Sequence, residues 1–409
     1  YQQLGLEKNV ANLWYWLAAC YREWGKYEQA IECENQDLAI RQQLDDQVNI
    51  ADVYFQLGRI YQAWGKYEQC VNYYQQSREV YQQLGLEKNV ANLWYWLAAC
   101  YREWGKYEQA IECENQDLAI RQQLDDQVNI ADAYFQLGRI YQAWGKYEQA
   151  VNYHQQSREL YQQLGLEKNV ANLWYWLAAC YRDLKDYTKA IEYYQQSLTL
   201  HQQLGQDERV AMRRRQVACC QALLVKNISN STEASDLIAQ AEKNIRQAIK
   251  INTAGKYKEN LAYDYTSFGL LYSQHLRLSL SDDLLIQEQI AFFEKYYHRG
   301  LTYLDELGQT VDKANEALKI ARAYLEVQVL ENLDRSEEIA QECLQIFQEY
   351  NRRKLEASAH KLLGEIYLKR TQQNQPGAEA IATKFLAKSL QIYKDLDLLE
   401  EAAEVEQLI

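Results

Sequence analysis

The sequence predicts an all-α solenoid of stacked helical hairpins, and three observations carry that prediction. Residues 81–120 repeat residues 1–40 without a change. Residues 121–160 repeat 41–80 with four changes, in which Val53 becomes Ala133, Cys70 becomes Ala150, Tyr74 becomes His154 and Val80 becomes Leu160. Residues 161–182 then repeat 81–102 before the match decays. A period of 40 inside a period of 80 means stacked units that bury their apolar faces on one another. Apolar spacing is the second observation. Ala11, Trp14, Leu17, Ala18 and Tyr21 share one helix face, and Tyr27, Ala30, Ile31, Leu38 and Leu44 form a second periodic run. Third, Pro376 is the one proline in 409 residues, and a proline-poor chain favours long helices.

Taken in order, each unit is two helices joined by a short turn. Gly25 ends the first helix, as a residue tolerant of positive φ should. Gly5, Gly85, Gly165, Gly205 or the pair Asp45-Asp46 closes the unit. Residues 1–205 are the near-identical units, and 206–409 are divergent hairpins. Every Trp lies between Trp14 and Trp176, so the composition shifts beyond them. A sixth hairpin is expected from 207–226 and 235–252, joined by a polar loop over Asn227–Ala234. A seventh is expected from 257–278 and 282–307, an eighth from 311–333 and 336–351, and a ninth from 355–370 and 380–398. Residues 400–409 are acidic and amphipathic and suit a polar end cap. Tyr1–Gly5 equals Tyr81–Gly85, the end of a unit, so the chain is expected to be a fragment of something longer.

Composition narrows function. A net charge of −13 argues against a general nucleic-acid or anionic-membrane binder. No apolar run reaches the roughly 18 residues of a spanning helix, and there is no signal pattern. The nine cysteines recur with the repeat, with Cys20, Cys100 and Cys180 at one position and Cys33 and Cys113 at another. They read as buried reduced thiols of a cytoplasmic protein. Asn227 and Asn230 match the glycosylation pattern and read as a polar loop. Neither a phosphate-binding glycine loop nor an H-E-x-x-H or G-x-S-x-G motif occurs, and the five histidines are scattered over the units. The chain reads as non-enzymatic, without cofactor or metal.

One family has this pattern. Trp14-x2-Leu17-Ala18-x2-Tyr21, with Gly25, Tyr27 and Ala30, resembles the tetratricopeptide repeat. So do Tyr54, Leu57, Gly58, Tyr61, Gly65, Tyr67, Cys70 and Tyr74, and then Trp174, Leu177, Ala178, Tyr181, Tyr187, Ala190, Tyr194 and Ser197. The resemblance implies a right-handed superhelix of about nine hairpins with a C-terminal capping helix. The family's usual unit is about 34 residues and ends in proline. Without that proline the second helix can run on through Tyr81–Leu84, which resembles the 40-residue class of LGN/Pins adaptors, kinesin light chain and the arrays of bacterial NB-ARC/NACHT signalling proteins. Glu34 and Asp37, repeated as Glu114 and Asp117, depart from the pattern. They are expected to reach solvent, Arg or Tyr hydroxyls through a slight helix rotation. The alternative is a buried acid paired across units, which makes stacking pH-dependent.

In this family the first helix of each hairpin lines a concave groove. The resemblance then assigns to the groove Asn12, Tyr15, Ala19 and Arg22, next Asp52, Phe55, Arg59 and Gln62, and their copies Asn92, Tyr95, Arg102, Asp132, Phe135, Arg139, Gln142, Asn172, Tyr175 and Arg182. Met212 and Arg215 continue the series, with Arg213 and Arg214 alongside. Such a ladder suits a protein or extended peptide, an acidic one included, since Arg forks onto carboxylates and aromatic rings supply contact area. The alternative for each residue is packing against neighbouring helices. The leading expectation is therefore a non-enzymatic binding scaffold or sensor arm of a larger signalling protein, with no nucleic-acid or membrane partner. Its rivals are the recognition region of an effector enzyme, an NTPase or caspase-like protease, and a self-assembling spacer.

Overall fold

The glycines that punctuate the sequence fall where helices must stop. Gly25 follows α1 (Gln2–Glu23) at φ 70°. Its N–H bonds Arg22 O at 3.0 Å and the Lys26 N–H bonds Tyr21 O at 2.9 Å, which satisfies two carbonyls of the last turn. Asp45, at φ 50°, does the same work at the end of the hairpin without being glycine. A computed structural model describes residues 2–225, 228, 231–277 and 283–409 of this chain. Among them there is no strand.

Contacts divide the chain into unit 1, Tyr1–Leu164, and unit 2, Gly165–Ile409. Unit 1 is four hairpins: α1 with α2 (Tyr27–Gln43), α3 (Gln47–Ala63) with α4 (Tyr67–Gln83), α5 (Glu87–Trp104) with α6 (Tyr107–Gln123), and α7 (Gln127–Ala143) with α8 (Tyr147–Gln163). Unit 2 continues with α9 (Glu167–Asp183) and α10 (Tyr187–Gln203), α11 (Asp207–Val225) and α12 (Ser231–Ala254), then α13 (Lys258–His275) and α14 (Asp283–Glu306). It ends with α15 (Thr310–Glu326), α16 (Leu333–Glu349), α17 (Arg353–Gln372), α18 (Ala378–Asp395) and the capping helix α19 (Leu399–Glu406). As expected from the missing proline, α4 and α8 run on through Tyr81 and Tyr161, both buried.

Two expectations need correction. The polar loop expected up to Ala234 ends sooner, because α12 begins at Ser231 and Ala234 packs at 0% exposure in a core with Ala218 and Ile238. Asn227 and Asn230 lie outside the described residues. The first helix of the eighth hairpin stops at Glu326 and does not reach Leu333. Val327 turns extended at ψ 110°, a 3-10 turn follows at Gln328–Leu330, and Val327 and Leu330 are buried by the detour. Asn332 then caps α16 by accepting from the Arg335 N–H at 2.9 Å.

Identical sequence meets different surroundings in α1 and α5. Leu93 is 3% exposed against the preceding α4, whereas Leu13 is 68% exposed and Cys20, the counterpart of buried Cys100, is exposed. The other cysteines are buried or half-buried and free, as expected of packed thiols.

Candidate functional site

Period 80 is explained by two kinds of junction between hairpins. Between the second and third hairpins the contact is aromatic. Phe55 of α3 stacks on Tyr74 of α4 at 5.7 Å and meets Trp96 of α5 edge-on at 5.6 Å, and the Arg78 guanidinium lies 4.1 Å from the Trp94 ring centre. Gly58 is needed here, since a Cβ at that position would lie 2.4 Å from the Tyr74 ring.

Between the first and second hairpins Tyr27 stacks on Trp64 at 5.6 Å, and the place that Phe55 and Trp96 fill is polar, with Arg22 of α1 donating to Gln56 of α3 at 3.2 Å; a buried polar cluster lies behind it within the first hairpin. Arg41 of α2 donates to Asp37 at 3.0 Å, to Asp46 at 3.4 Å and to Asn12 of α1 at 2.6 Å. The third and fourth hairpins repeat this, with Arg121 joining Asp117, Asp126 and Asn92. Glu34 and Asp37 are each 2% exposed, so neither reaches solvent; Asp37 meets an arginine, as expected, whereas Glu34 Oε2 is buried without a partner. Burial, then the neighbouring Asp37, pushes the Glu34 carboxyl up to about 8, against the pull of Arg22. Glu114 is raised well above its ordinary value for the same first cause, and Asp117 rises to about 6. The register that Tyr74 fills in the second hairpin and His154 in the fourth is thus filled by a carboxyl in the first and third.

Residues assigned to the groove knit the first helices into a wall. Arg22 of α1 donates to Gln56 of α3 at 3.2 Å, and Arg102 of α5 donates to Gln136 of α7 at 3.2 Å. Gln62 accepts from the Tyr74 hydroxyl at 2.8 Å and donates to Glu103 of α5 at 2.9 Å. Arg59 lies 5.5 Å from the Trp96 ring centre and 5.9 Å from that of Phe55. Arg139 lies 5.8 Å from that of Phe135, and burial followed by Arg102 lowers its pKa. The Tyr81 hydroxyl donates to Asp52 and the Tyr161 hydroxyl to Asp132. Burial nevertheless raises both aspartates. Asn12 and Asn92 are exposed, and Tyr15, Tyr95, Gln142, Asn172 and Tyr175 are half-buried.

The series ends differently from the sequence expectation. Arg182 is held by Asp183 at 2.7 Å. Arg215 is buried in an ion pair with Asp264 at 3.0 Å, which places it in the interior of unit 2 and not on an open ladder. Sequence reasoning missed Gln56 and Gln136, the acceptors that tie the wall together. Their signal was available, because Gln56 lies one helical turn from both Asp52 and Arg59.

Among the described residues no group of His, Cys, Asp and Glu is arranged to hold a metal, and no helix is long and apolar enough to cross a membrane. A tetratricopeptide repeat family model matches residues 9–83 and 89–163, and a second matches 171–204. No curated protein sequence matches the chain. It is similar to the solved structure of aspartyl phosphate phosphatase F from Bacillus subtilis, at 15% identity, over 94% of this chain and 93% of that one, with a TM-score of 0.54. It is similar also to a signal transduction ATPase with numerous domains and a tetratricopeptide repeat sensor from Pyrococcus horikoshii, at 17% identity and a TM-score of 0.53, over 77% of this chain and 45% of that one. A third likeness is the apo quorum sensor NprR from B. thuringiensis, at 15% identity and a TM-score of 0.50, over 81% and 86%. At these identities the likeness is one of fold.

Proposed function

We propose that this chain, whose residues 9–83, 89–163 and 171–204 match the tetratricopeptide repeat, is a non-enzymatic scaffold or sensor arm that binds a protein or extended peptide along the wall of its first helices. The supporting observation is that wall itself. Hydrogen bonds such as Arg22 to Gln56 and Gln62 to Glu103 hold its side chains before any partner arrives, so little conformational freedom is lost on binding. Arg22, Arg59, Arg102 and Arg139 recur along it among Tyr and Phe rings, a composition that anchors interfaces and favours an acidic partner. The Pyrococcus protein's sensor and the quorum sensor share this fold and support the sensor-arm reading. The cytoplasm, where thiols stay reduced, suits the buried free cysteines.

Affinity capture from soluble lysate, read by mass spectrometry, tests the proposal. Wild type is run beside Arg59→Glu/Arg139→Glu, with circular dichroism showing both folded. The expected result is a protein enriched by wild type and lost by the variant. An unchanged captured set would sink the reading. Light scattering over a concentration series checks self-association in the same samples.

A further inference from the structure

Four successive turns between paired helices read Trp-Gly-Lys, at 24–26, 64–66, 104–106 and 144–146. Each of these glycines takes positive φ, and Lys66, Lys106 and Lys146 lie over the tryptophan of their own turn. The fifth turn, which joins α9 to α10, reads Leu184-Lys185-Asp186 instead. Its tryptophan is gone, and a lysine holds the glycine position at φ 63°. A left-handed backbone does not suit lysine, so the turn itself gives no reason for the change. The reason lies in what the side chain reaches.

Lys185 Nζ donates to Glu404 Oε1 of α19 at 2.8 Å, across 219 residues of sequence. Lys361 of α17 donates to Oε2 of the same carboxylate at 2.8 Å. The helix α19 is fastened to the C-terminal helices by two more pairs, Lys354 with Glu401 at 2.9 Å and Lys394 with Glu406 at 2.7 Å. Its Ala402 and Val405 pack in a core with Leu386, Ile392 and Tyr393. Between the two ends the hairpins of unit 2 pack one on the next, α10 on α11, α12 on α13, α14 on α15 and α16 on α17. The last element of the unit thus returns to the turn of its first hairpin, and the stack closes on itself. Burial would raise the Glu404 carboxyl, but Lys185 and Lys361 outweigh it and bring the group down to about 2. Its hydrogen bond in turn lifts Lys185 above the ordinary lysine value. Both charges therefore persist across ordinary pH, and the contact answers to salt rather than to acid. The Lys185 side chain is 71% exposed. An exposed pair adds little to stability and is screened by ions, so it closes the unit without locking it.

We propose that Lys185, Glu404 and Lys361 form an electrostatic clasp that holds unit 2 as a closed turn of the solenoid. Loss of the Lys185 contact lets the α9–α10 turn and α19 part and relaxes the curvature of the hairpin stack. The clasp is independent of what the wall of first helices binds.

The test uses the full chain and two readouts. A water-soluble carbodiimide joins an amine to a carboxylate where the two touch, and mass spectrometry identifies the joined residues. In low salt a Lys185–Glu404 link is expected beside a Lys354–Glu401 link, which lies within the C-terminal helices and serves as the reference. Screening shortens from about 30 Å in 0.01 M salt to about 3 Å in 1 M, and the ratio of the first link to the reference is expected to fall severalfold over that range. Small-angle scattering in low salt is expected to give a larger radius of gyration for Lys185→Gly and for Glu404→Lys than for wild type. Lys185→Glu/Glu404→Lys, which exchanges the signs of the pair, is expected to return to the wild-type radius. Glycine suits φ 63°, so Lys185→Gly is expected to keep the wild-type urea midpoint while the unit opens, which separates the clasp from a plain loss of stability. Absence of the Lys185–Glu404 link where the reference forms would overturn the clasp. So would a link ratio that 1 M salt leaves unchanged, or a Lys185→Gly scattering curve identical to that of wild type. If Glu404→Lys does not fold, Lys185→Gly decides alone.

Discussion

Glu34 and Glu114 hold a proton that most glutamates release. An unfolded chain gives it up near the ordinary value of 4.5, whereas Glu34 in place keeps it to about 8. Between those values the folded state binds more protons, so the contribution of Glu34 to stability is complete below pH 4.5 and is lost as pH rises toward 8. Glu34→Gln/Glu114→Gln should erase that slope. Urea unfolding should find the variant more stable at pH 8, by on the order of 1–3 kcal/mol per site, and close to wild type at pH 4.5. His154 works in the opposite sense. Burial, then the Arg139 charge, lowers it from 6.5 to about 3, so its contribution is complete above pH 6.5 and is lost as pH falls toward 3. His154→Tyr, which restores the residue of the second hairpin, should flatten the acid side of the profile.

In the second, fourth and fifth hairpins the two helices approach at a pair in one register: Gly58 with Tyr74, Gly138 with His154, and Ala178 with Tyr194. Against glycine, the Tyr74 hydroxyl reaches Gln62 at 2.8 Å. Against alanine, the Tyr194 hydroxyl reaches nothing. Gly58→Ala should therefore tilt Tyr74 off Gln62 and cost about 1–2 kcal/mol in urea unfolding, a loss of packing and of one hydrogen bond. Helices, turns and the run-on of α4 were legible in the sequence because spacing, glycine and missing proline act locally. The side that Glu34 faces was not, because Asn12 lies 29 residues from the Arg41 it bonds, and that arginine also holds Asp37. Arg213 was set only alongside the groove series, whereas it is buried with its guanidinium 3.9 Å from the ring centre of Tyr175.

In the whole molecule, alternating junctions make 80 residues the unit that can be removed cleanly. Deleting residues 45–124 joins the first hairpin to the fourth and recreates a polar junction of native sequence. Deleting residues 45–84 sets Glu34 and Asp37 against the face of α5 that carries Trp94 and Trp96. The first deletion should leave a cooperative protein, and the second should lose about 3–5 kcal/mol to a carboxylate facing indole, as read from urea midpoints of the two. The lysines that cap the tryptophans have a further consequence, and it is optical. Lys66, Lys106 and Lys146 place an ammonium 3.2, 3.4 and 3.1 Å from the ring centres of Trp64, Trp104 and Trp144. Of ten tryptophans, only Trp174 and Trp176 belong to unit 2. Indole emission is therefore a built-in dye chiefly for unit 1. If the halves melt separately, the fluorescence and ellipticity curves of the unmodified protein will part company.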